Sequence, residues 1–528
     1  MIDPMSDPTL VSNPLGDPIW WIGGSLLVSL GVAALGRGKM KSGADSSHGS
    51  ARWAEPKDVT DLLVTNKRPP APGALMLGPS PFSRYQRLEI NRELANRHLI
   101  IIGPPGSGKG RGFFLWNCAH YRGSFLYSDP KSEGWHLTSG YRQHPIRYAP
   151  RDPNRSAAFN WIPLCGTDSH LTLLLARAMM TSDENGHGHP FFTRADTAFL
   201  ASVFAHASTF RTPTPAAAYD FLTSHAGDSL THALLASPNM VARQFATIFS
   251  QADPKLRSSI IIGVATQLVW LADERLRRFT SSTFEPPDFG ALRRRETSIY
   301  WCLSESDVAV LKPLSTVFFT LALYQIKEAD GDVPVNFLLD EIANIGQLPN
   351  FEVEVAVLRG RGIGLTLGAQ SASQLELVYG RAAAQVILDS INTTIVLAGL
   401  DYDSAHYVAR ALGEGTFAEE RRGSSTKGKL LGTPTITKHI HKHARALLTA
   451  DELRRIGDRE QVVITTNQRP LRTGRFWYEA APETAQVSGC GAAQTMEFTA
   501  GVNHPKMPEG SDEPPPVPEK LRRLQQPP

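Results

Sequence analysis

Cysteine is scarce in this chain. Its four cysteines, Cys118, Cys165, Cys302 and Cys490, are scattered over 528 residues. None has metal-ligand spacing, so they read as ordinary reduced thiols of a chain whose bulk faces the cytosol. His187-Gly-His189 has no matching ligands nearby and reads as an exposed loop rather than a metal site. Net charge is also slight: 54 Lys and Arg against 51 Asp and Glu leave +3. That is too little to argue nucleic-acid binding without a local basic surface. Before residue 19 the chain has no Lys or Arg, only Asp3, Asp7 and Asp17, which argues against a cleavable signal peptide with its basic leader.

The run from Ile19 to Leu35 lacks charge altogether, with Trp20-Trp21 at its edge and Arg37, Lys39 and Lys41 directly after it. As a helix it spans roughly 25 Å, the short limit for crossing a bilayer. The basic residues that follow predict a membrane anchor over 18–36 with everything after it in the cytoplasm. A buried core helix is the alternative.

What the sequence does hold is a phosphate cradle. The apolar run His98-Leu-Ile-Ile-Ile102 leads into Gly103, Pro104, Pro105, Gly106, Ser107, Gly108 and Lys109, then Gly110 and a helical stretch from Arg111 to Tyr121. Glycines supply the positive φ angles that turn several N–H groups inward. Lys109 is placed to reach β- and γ-phosphates, and the following helix adds its N-terminal partial charge. Gly110 stands where Ser or Thr usually gives Mg²⁺ a hydroxyl, so the metal would need carboxylate and water ligands from elsewhere.

A metal-side partner follows late in the chain. Val335-Asn-Phe-Leu-Leu339 reads as a buried parallel strand ending in Asp340-Glu341. The C-terminal ends of such strands face the ligand crevice of an open α/β sheet. Asp340 would hold Mg²⁺, and Glu341 would polarise the attacking water. An N-cap role for the acidic pair is the bland alternative.

Strands are also expected at Ser124–Tyr127, Ile146–Tyr148, Ser298–Cys302, Gly364–Gly368, Ile395–Ala398 and Val462–Thr465. Alternating with helices, they predict a parallel sheet of βαβ units. Between about 170 and 290 the periodicity is helical, at Leu171–Met180, Ala195–Ser208, Ala216–Ser224, Asn239–Ile248 and Leu256–Phe279, and implies an all-helical insertion. Another helix is expected from about Leu311 to Lys327. Arg421 to His443 reads as a mobile basic loop, either a solvated linker or a grip on phosphate backbone. The tail after about Glu483 has no periodicity and ends in Pro-rich text.

Several blocks, in order, resemble the type IV secretion coupling proteins, the membrane ATPases that feed DNA or protein into conjugative secretion channels. They are the phosphate loop with glycine after its lysine, Asp129-Pro-Lys-Ser-Glu133, and Phe337-Leu-Leu-Asp-Glu-Ile-Ala-Asn-Ile-Gly346. Leu358-Arg-Gly-Arg-Gly-Ile363 follows, then Ala369-Gln-Ser-Ala-Ser-Gln-Leu375 and Tyr379-Gly380, while His48-Gly-Ser-Ala-Arg-Trp53 looks like the family's juxtamembrane opening.

The resemblance implies an α/β fold: a RecA-like P-loop NTPase core with an inserted all-helical domain and an N-terminal transmembrane helix, assembled as homohexamers with ATP and Mg²⁺ between subunits. By position in the motif, Arg359 would be the arginine finger, with Arg361 the close alternative, and Gln370 would sense the γ-phosphate or orient water. Many family members have two membrane spans, whereas this sequence shows one.

The resulting expectation is a bacterial inner-membrane coupling ATPase. It would recruit single-stranded DNA with its bound relaxase, or a protein substrate, and pass it to the type IV secretion channel. The rivals are a membrane-tethered nucleotide-binding receptor with little hydrolysis, and another DNA-pumping P-loop ATPase. The expected domains are a short extracytoplasmic segment 1–17, the anchor 18–36, and a juxtamembrane linker and start of the core 37–97. The nucleotide-binding domain follows in two parts, 98–169 and 291–482, around the helical insertion 170–290, and a disordered tail covers 483–528.

Overall fold

The structure, a computed structural model, describes residues 49–180, 190–225, 227–281, 286–425, 435–478 and 486–487. The expected anchor, His187-Gly-His189, Cys490 and the Pro-rich tail lie outside the described residues. These residues fall into two compact units: a larger one of Trp53–Leu412 with the residues from Leu448 onward, and a smaller one of 49–52 with Gly413–Leu447.

The larger unit opens with three strands, β1 (Leu63–Thr65), β2 (Leu75–Pro79) and β3 (Gln86–Ile90), in an antiparallel sheet of order β1-β3-β2. The sequence reading leaves this stretch as mixed text without strands, with turn signals at Pro69-Pro-Ala-Pro72 and Pro79-Ser-Pro81. The structure buries some of its charge. Arg87 and Glu89 are 0% and 4% exposed. The Arg87 Nε donates to Glu89 Oε2 at 2.8 Å, and its Nη1 donates to the carbonyls of Thr65 and Arg68.

The chain then builds β4 (Leu99–Ile102), β5 (Ser124–Asp129), β6 (Pro145–Tyr148), β7 (Ser298–Cys302), β8 (Val335–Leu339), β9 (Ile363–Ala369) and β10 (Thr393–Val396). After β11 (Glu414–Ser425) and β12 (Thr435–Ala446), which belong to the smaller unit, come β13 (Glu460–Thr465) and β14 (Leu471–Gly474). One nine-stranded sheet has the order β14-β13-β10-β4-β9-β8-β5-β7-β6. From β10 to β6 every neighbouring pair is parallel, and β13 and β14 close one edge in antiparallel pairing. Every residue of β4, β5, β7, β8 and β9 is buried, as strands covered on both faces require. The order places β9 and β8 between β4 and β5, so the loops after β4, β9, β8 and β5 leave the same edge side by side.

Between β6 and β7 the described residues hold seven α-helices and no strand: Ser169–Met180, Pro190–Ala207, Pro215–Ser224, Asp228–Leu235, Met240–Ser250, Pro254–Gln267 and Glu274–Phe279. The helical pattern expected to run unbroken from Leu256 to Phe279 is interrupted. Asp273, whose side chain accepts from the Arg275 amide at 2.8 Å, starts a new helix there. Helix Asp228–Leu235 has no counterpart in the sequence reading. Helix Glu305–Glu328 begins a turn and a half before its apolar pattern does. By length and composition it is the only described helix able to cross a membrane, but 67% of its most apolar window is buried within the protein.

The smaller unit corrects one expectation. Of Arg421–His443, read as a mobile basic loop, the described residues 421–425 and 435–443 lie in an antiparallel ladder in which β11 and β12 pair from Glu414↔Ala446 to Ser425↔Thr435, while 426–434 lie outside the described residues. The β-branched run Thr435-Ile-Thr437 suits a strand, and the interstrand ladder outweighs the polar composition that suggested a loop. The chain at 49–51 runs along β11: the amide of Ala51 donates to Glu414 O at 3.0 Å, and that of Thr416 donates to Gly49 O at 3.2 Å. Gly49 has φ +133°, and a Cβ there would lie 2.2 Å from Glu414 O, so this edge admits only glycine.

Candidate functional site

The loop after β4 is held at its root by the Gly103 amide donating to Ala369 O of β9 at 3.1 Å, and it tightens through Ser107 N to Pro104 O at 3.1 Å. Gly106 and Gly108 take φ of +75° and +83°. A Cβ at Gly106 would meet nothing within 4 Å, so that side of the loop is open to a ligand. Lys109 is 8% exposed, and its Nζ donates to Gly103 O at 2.5 Å. Burial lowers its pKa, while the charges of Glu341 and Asp340 oppose that shift. The helix expected over Arg111–Tyr121 begins as a wide π turn, Gly110–Phe114, before the α-helical turn Leu115–His120. Such widened turns recur at functional sites.

Across the cleft, β8 delivers Asp340 and Glu341. Glu341 stands at the N-cap position of the short turn Ile342–Asn344, but its side chain makes no capping hydrogen bond there and is left to the cleft. Burial raises the Asp340 carboxyl to about 7, against the pull of Lys109, and burial also raises Glu341. Tyr127 Oη donates to Asp340 Oδ2 at 3.4 Å. A Cβ built on Gly110 would lie 3.5 Å from that same Oδ2. Asp340 therefore faces the very position where the usual hydroxyl would sit. Gln370, at the end of β9, donates from Nε2 to Glu341 Oε2 at 3.2 Å. Glu341 Oε1 and Ser107 Oγ are buried without a hydrogen-bond partner among the protein atoms.

These groups line one cleft of about 1330 Å³, whose further walls come from Asp129, Lys131, Lys312 and Trp477. Asp129, raised by burial to about 6, accepts from the Trp135 amide at 2.8 Å. Among the described residues no group of three or more His, Cys, Asp or Glu gathers as an ion cage. The donor set nevertheless suits Mg²⁺, which takes one or two carboxylates together with substrate phosphates and water. Asp340 beside Gly110 offers the carboxylate, and the unpartnered Oε1 of Glu341 in the cleft wall leaves a polar group for a ligand.

Arg359 and Arg361 are not brought to this cleft. They end helix Phe351–Gly360 just before β9, exposed, at the N-terminal edge of the sheet. The seven residues of β9 separate that edge from Gln370 by about 20 Å. Arg359 instead lies within electrostatic reach of His98, whose Nε2 meets Val355 O at 2.7 Å.

Sequence reasoning missed Arg475 and Trp477, which follow β14 and return to the phosphate loop. Arg475 is 1% exposed and donates from Nη1 to Ser107 O at 2.6 Å and from Nη2 to Gly108 O at 2.7 Å. No spacing signal announces them, since Arg475 stands 368 residues from Ser107. The one sequence hint is Gly112, a small residue where a helix favours a larger one.

Comparison with known proteins places these features in a family. Residues 44–506 match the sequence profile of the type IV secretory system conjugative DNA transfer family. Protein VirD4 of Rhizobium radiobacter is 26% identical over 483 residues, 87% of this chain and 68% of that protein. A conjugal transfer protein TraG of Escherichia coli is 23% identical over 81% of this chain and 74% of its own length. Among solved structures, the conjugative coupling protein TrwB superposes with TM-score 0.60 at 15% identity, covering 73% of this chain and 86% of TrwB. A second TrwB structure, in complex with ADP and Mg²⁺, superposes with TM-score 0.60 at 16% identity over 74% and 88%.

Proposed function

Because the chain belongs to the type IV secretory system conjugative DNA transfer family, we propose that it is a coupling ATPase that uses ATP to pass DNA toward a secretion channel. The observation that carries this is the meeting of Lys109, Asp340, Glu341 and Gln370 in one cleft, at the edge where β4, β8 and β9 end. The loop amides and Lys109 would bind the β- and γ-phosphates. Bound Mg²⁺ would supply charge neutralisation on the phosphate oxygens, held by Asp340. Glu341 would take the proton of the attacking water, and Gln370, already bonded to it, would orient that carboxylate.

Arg359, which would be the arginine finger, stands a turn from the start of β9, on the far edge of the sheet. Delivery of Arg359, or of Arg361, by a neighbouring subunit would fit assembly as a homohexamer with nucleotide between subunits. Single-stranded DNA with its relaxase, or a protein substrate, would be the cargo, and the helical insertion between β6 and β7 would recognise it. The uncharged run over 18–36, with basic residues behind it, supports tethering to the inner membrane beside the channel. Under this reading the core divides as 98–169 and 291–482 around that helical domain.

Lys109→Ala should abolish nucleotide binding, and Glu341→Gln should keep binding while hydrolysis and DNA transfer fall at least about a hundredfold. ATPase and mating assays on the full-length protein measure both. Hydrolysis at the wild-type rate in either variant would refute the assigned roles.

A further inference from the structure

We propose that Arg475 is a positioning residue that sets the phosphate loop in its anion-binding conformation from behind, by holding two of its peptide planes. This rests on the nucleotide reading above and adds a residue to it. A trans peptide is planar, with its C=O and N–H on opposite sides. The peptide joining Ser107 to Gly108 carries the Ser107 carbonyl and the Gly108 N–H. The next one carries the Gly108 carbonyl and the Lys109 N–H. Arg475 takes both carbonyls with the two ends of one fork, at 2.6 and 2.7 Å, and Nη1 also donates to Asp458 O at 3.0 Å. Two carbonyls fixed on the outer side turn the two N–H groups toward the side where Gly106 is open. Those N–H groups are the donors that a phosphate cradle needs. A lysine ammonium is a point charge and cannot hold two planes in register as a planar guanidinium does.

The surroundings are cut to admit this fork. A Cβ at Gly112 would stand 2.5 Å from Arg475 Nη2 and 3.1 Å from its Cζ, so any side chain there would displace the guanidinium. A Cβ at Gly108 would stand 3.0 Å from Nη2 and 2.8 Å from the Trp477 ring, whose centroid is 5.4 Å from the Arg475 Cζ. The Gly112 amide shares the Gly108 carbonyl at 2.7 Å, tying the widened first turn of the helix into the same arrangement. Burial draws the Arg475 pKa down only to about 10, so the group stays cationic at neutral pH and adds positive potential behind the loop.

Three variants of the full-length protein test this: Arg475→Lys, which keeps charge without the fork; Arg475→Met, which fills volume without charge; and Gly112→Ala, which leaves the arginine in the sequence but takes its place. Each is read by equilibrium binding of MgADP and MgATP, by KM and kcat, and by circular dichroism and thermal melting. The amides of 108 and 109 serve both nucleotides, so the expected result is a loss of about tenfold or more in affinity for ADP and ATP alike, with KM rising in step and kcat at saturation changed far less. A merely structural arginine would lower the melting temperature and leave the KM of the folded fraction alone. If Arg475→Met does not fold, the other two variants decide.

Folded Arg475→Lys and Gly112→Ala proteins that bind both nucleotides within about twofold of wild type, or lose kcat at unchanged KM, would overturn the inference. Lys109→Ala separates this from the broader reading. Wild type failing to bind nucleotide sinks the proposed function, whereas normal Arg475 variants beside a dead Lys109→Ala sink only the role of Arg475.

Discussion

Asp340 should be a site where stability is sacrificed for function, and replacing it with asparagine should stabilise the protein free of nucleotide and metal. Its carboxyl is raised from 3.8 to about 7, chiefly by burial. At about 1.36 kcal/mol per pH unit that gap is a ceiling of about 4 kcal/mol, and solvent reaching the cleft trims it to about 2 kcal/mol. A carboxyl with a higher pKa folded than unfolded binds more protons when folded, so unfolding free energy falls as pH climbs through this range. The penalty on the wild type is therefore small at about pH 4, about a third of full size at about pH 5, and complete above about pH 7.

The amide of an asparagine cannot ionise in either state, so Asp340→Asn should gain most at alkaline pH. For a chain of this length about 1 kcal/mol corresponds to about 1 °C, which predicts a melting temperature about 2 °C above wild type at about pH 8 and much less at about pH 5. Thermal melts in EDTA measure the difference. With Mg²⁺ and ATP present the order should reverse, because only the wild type can gain from binding the ion through this carboxylate. An equal gap at both pH values, or a variant less stable than wild type at the higher one, would refute the assignment of a desolvated carboxylate.

Gly110→Ser should retain nucleotide binding within about threefold, because its Cβ meets Asp340 Oδ2 at an ordinary 3.5 Å. A calorimetric titration with MgADP reads it, and loss of binding would show that this corner tolerates no side chain. Arg359→Ala should lower hydrolysis by about a thousandfold. Mixing Arg359→Ala with Glu341→Gln subunits should restore part of the rate, and no recovery would argue against an arginine delivered between subunits. Arg87→Ala leaves Glu89 buried and unpaired, and should cost about 3–5 kcal/mol in urea denaturation. A loss under about 1 kcal/mol would mean that solvent reaches the pair.

The sheet was legible where its chemistry is simplest. β4, β5, β7 and β8 are short apolar runs because both their faces are covered, and a run of Leu and Ile states that directly. Lys109, Asp340, Glu341 and Gln370 each follow such a strand, so recognising the strands located them. Polar strands were not legible. β3 carries a buried Arg87–Glu89 pair that reads as surface, and β11 and β12 carry so much charge that their ladder is hidden in composition. Helix Leu256–Phe279 failed differently, since its apolar periodicity continues past the point where Asp273 caps a fresh start. Arg475 could not be found at all from spacing, because what assigns it a partner is the antiparallel turn of β13 and β14 at the sheet's edge.

That edge has a consequence for how the protein is made. On a ribosome, the phosphate loop emerges early, while β13, β14, Arg475 and Trp477 are synthesised hundreds of residues later. A nascent chain carrying the loop and even Asp340-Glu341 still lacks the backing of its cradle. Full affinity for nucleotide would then arrive only when the sheet has received its last strands. A polypeptide truncated before residue 471 would therefore hold nucleotide more weakly than the complete chain.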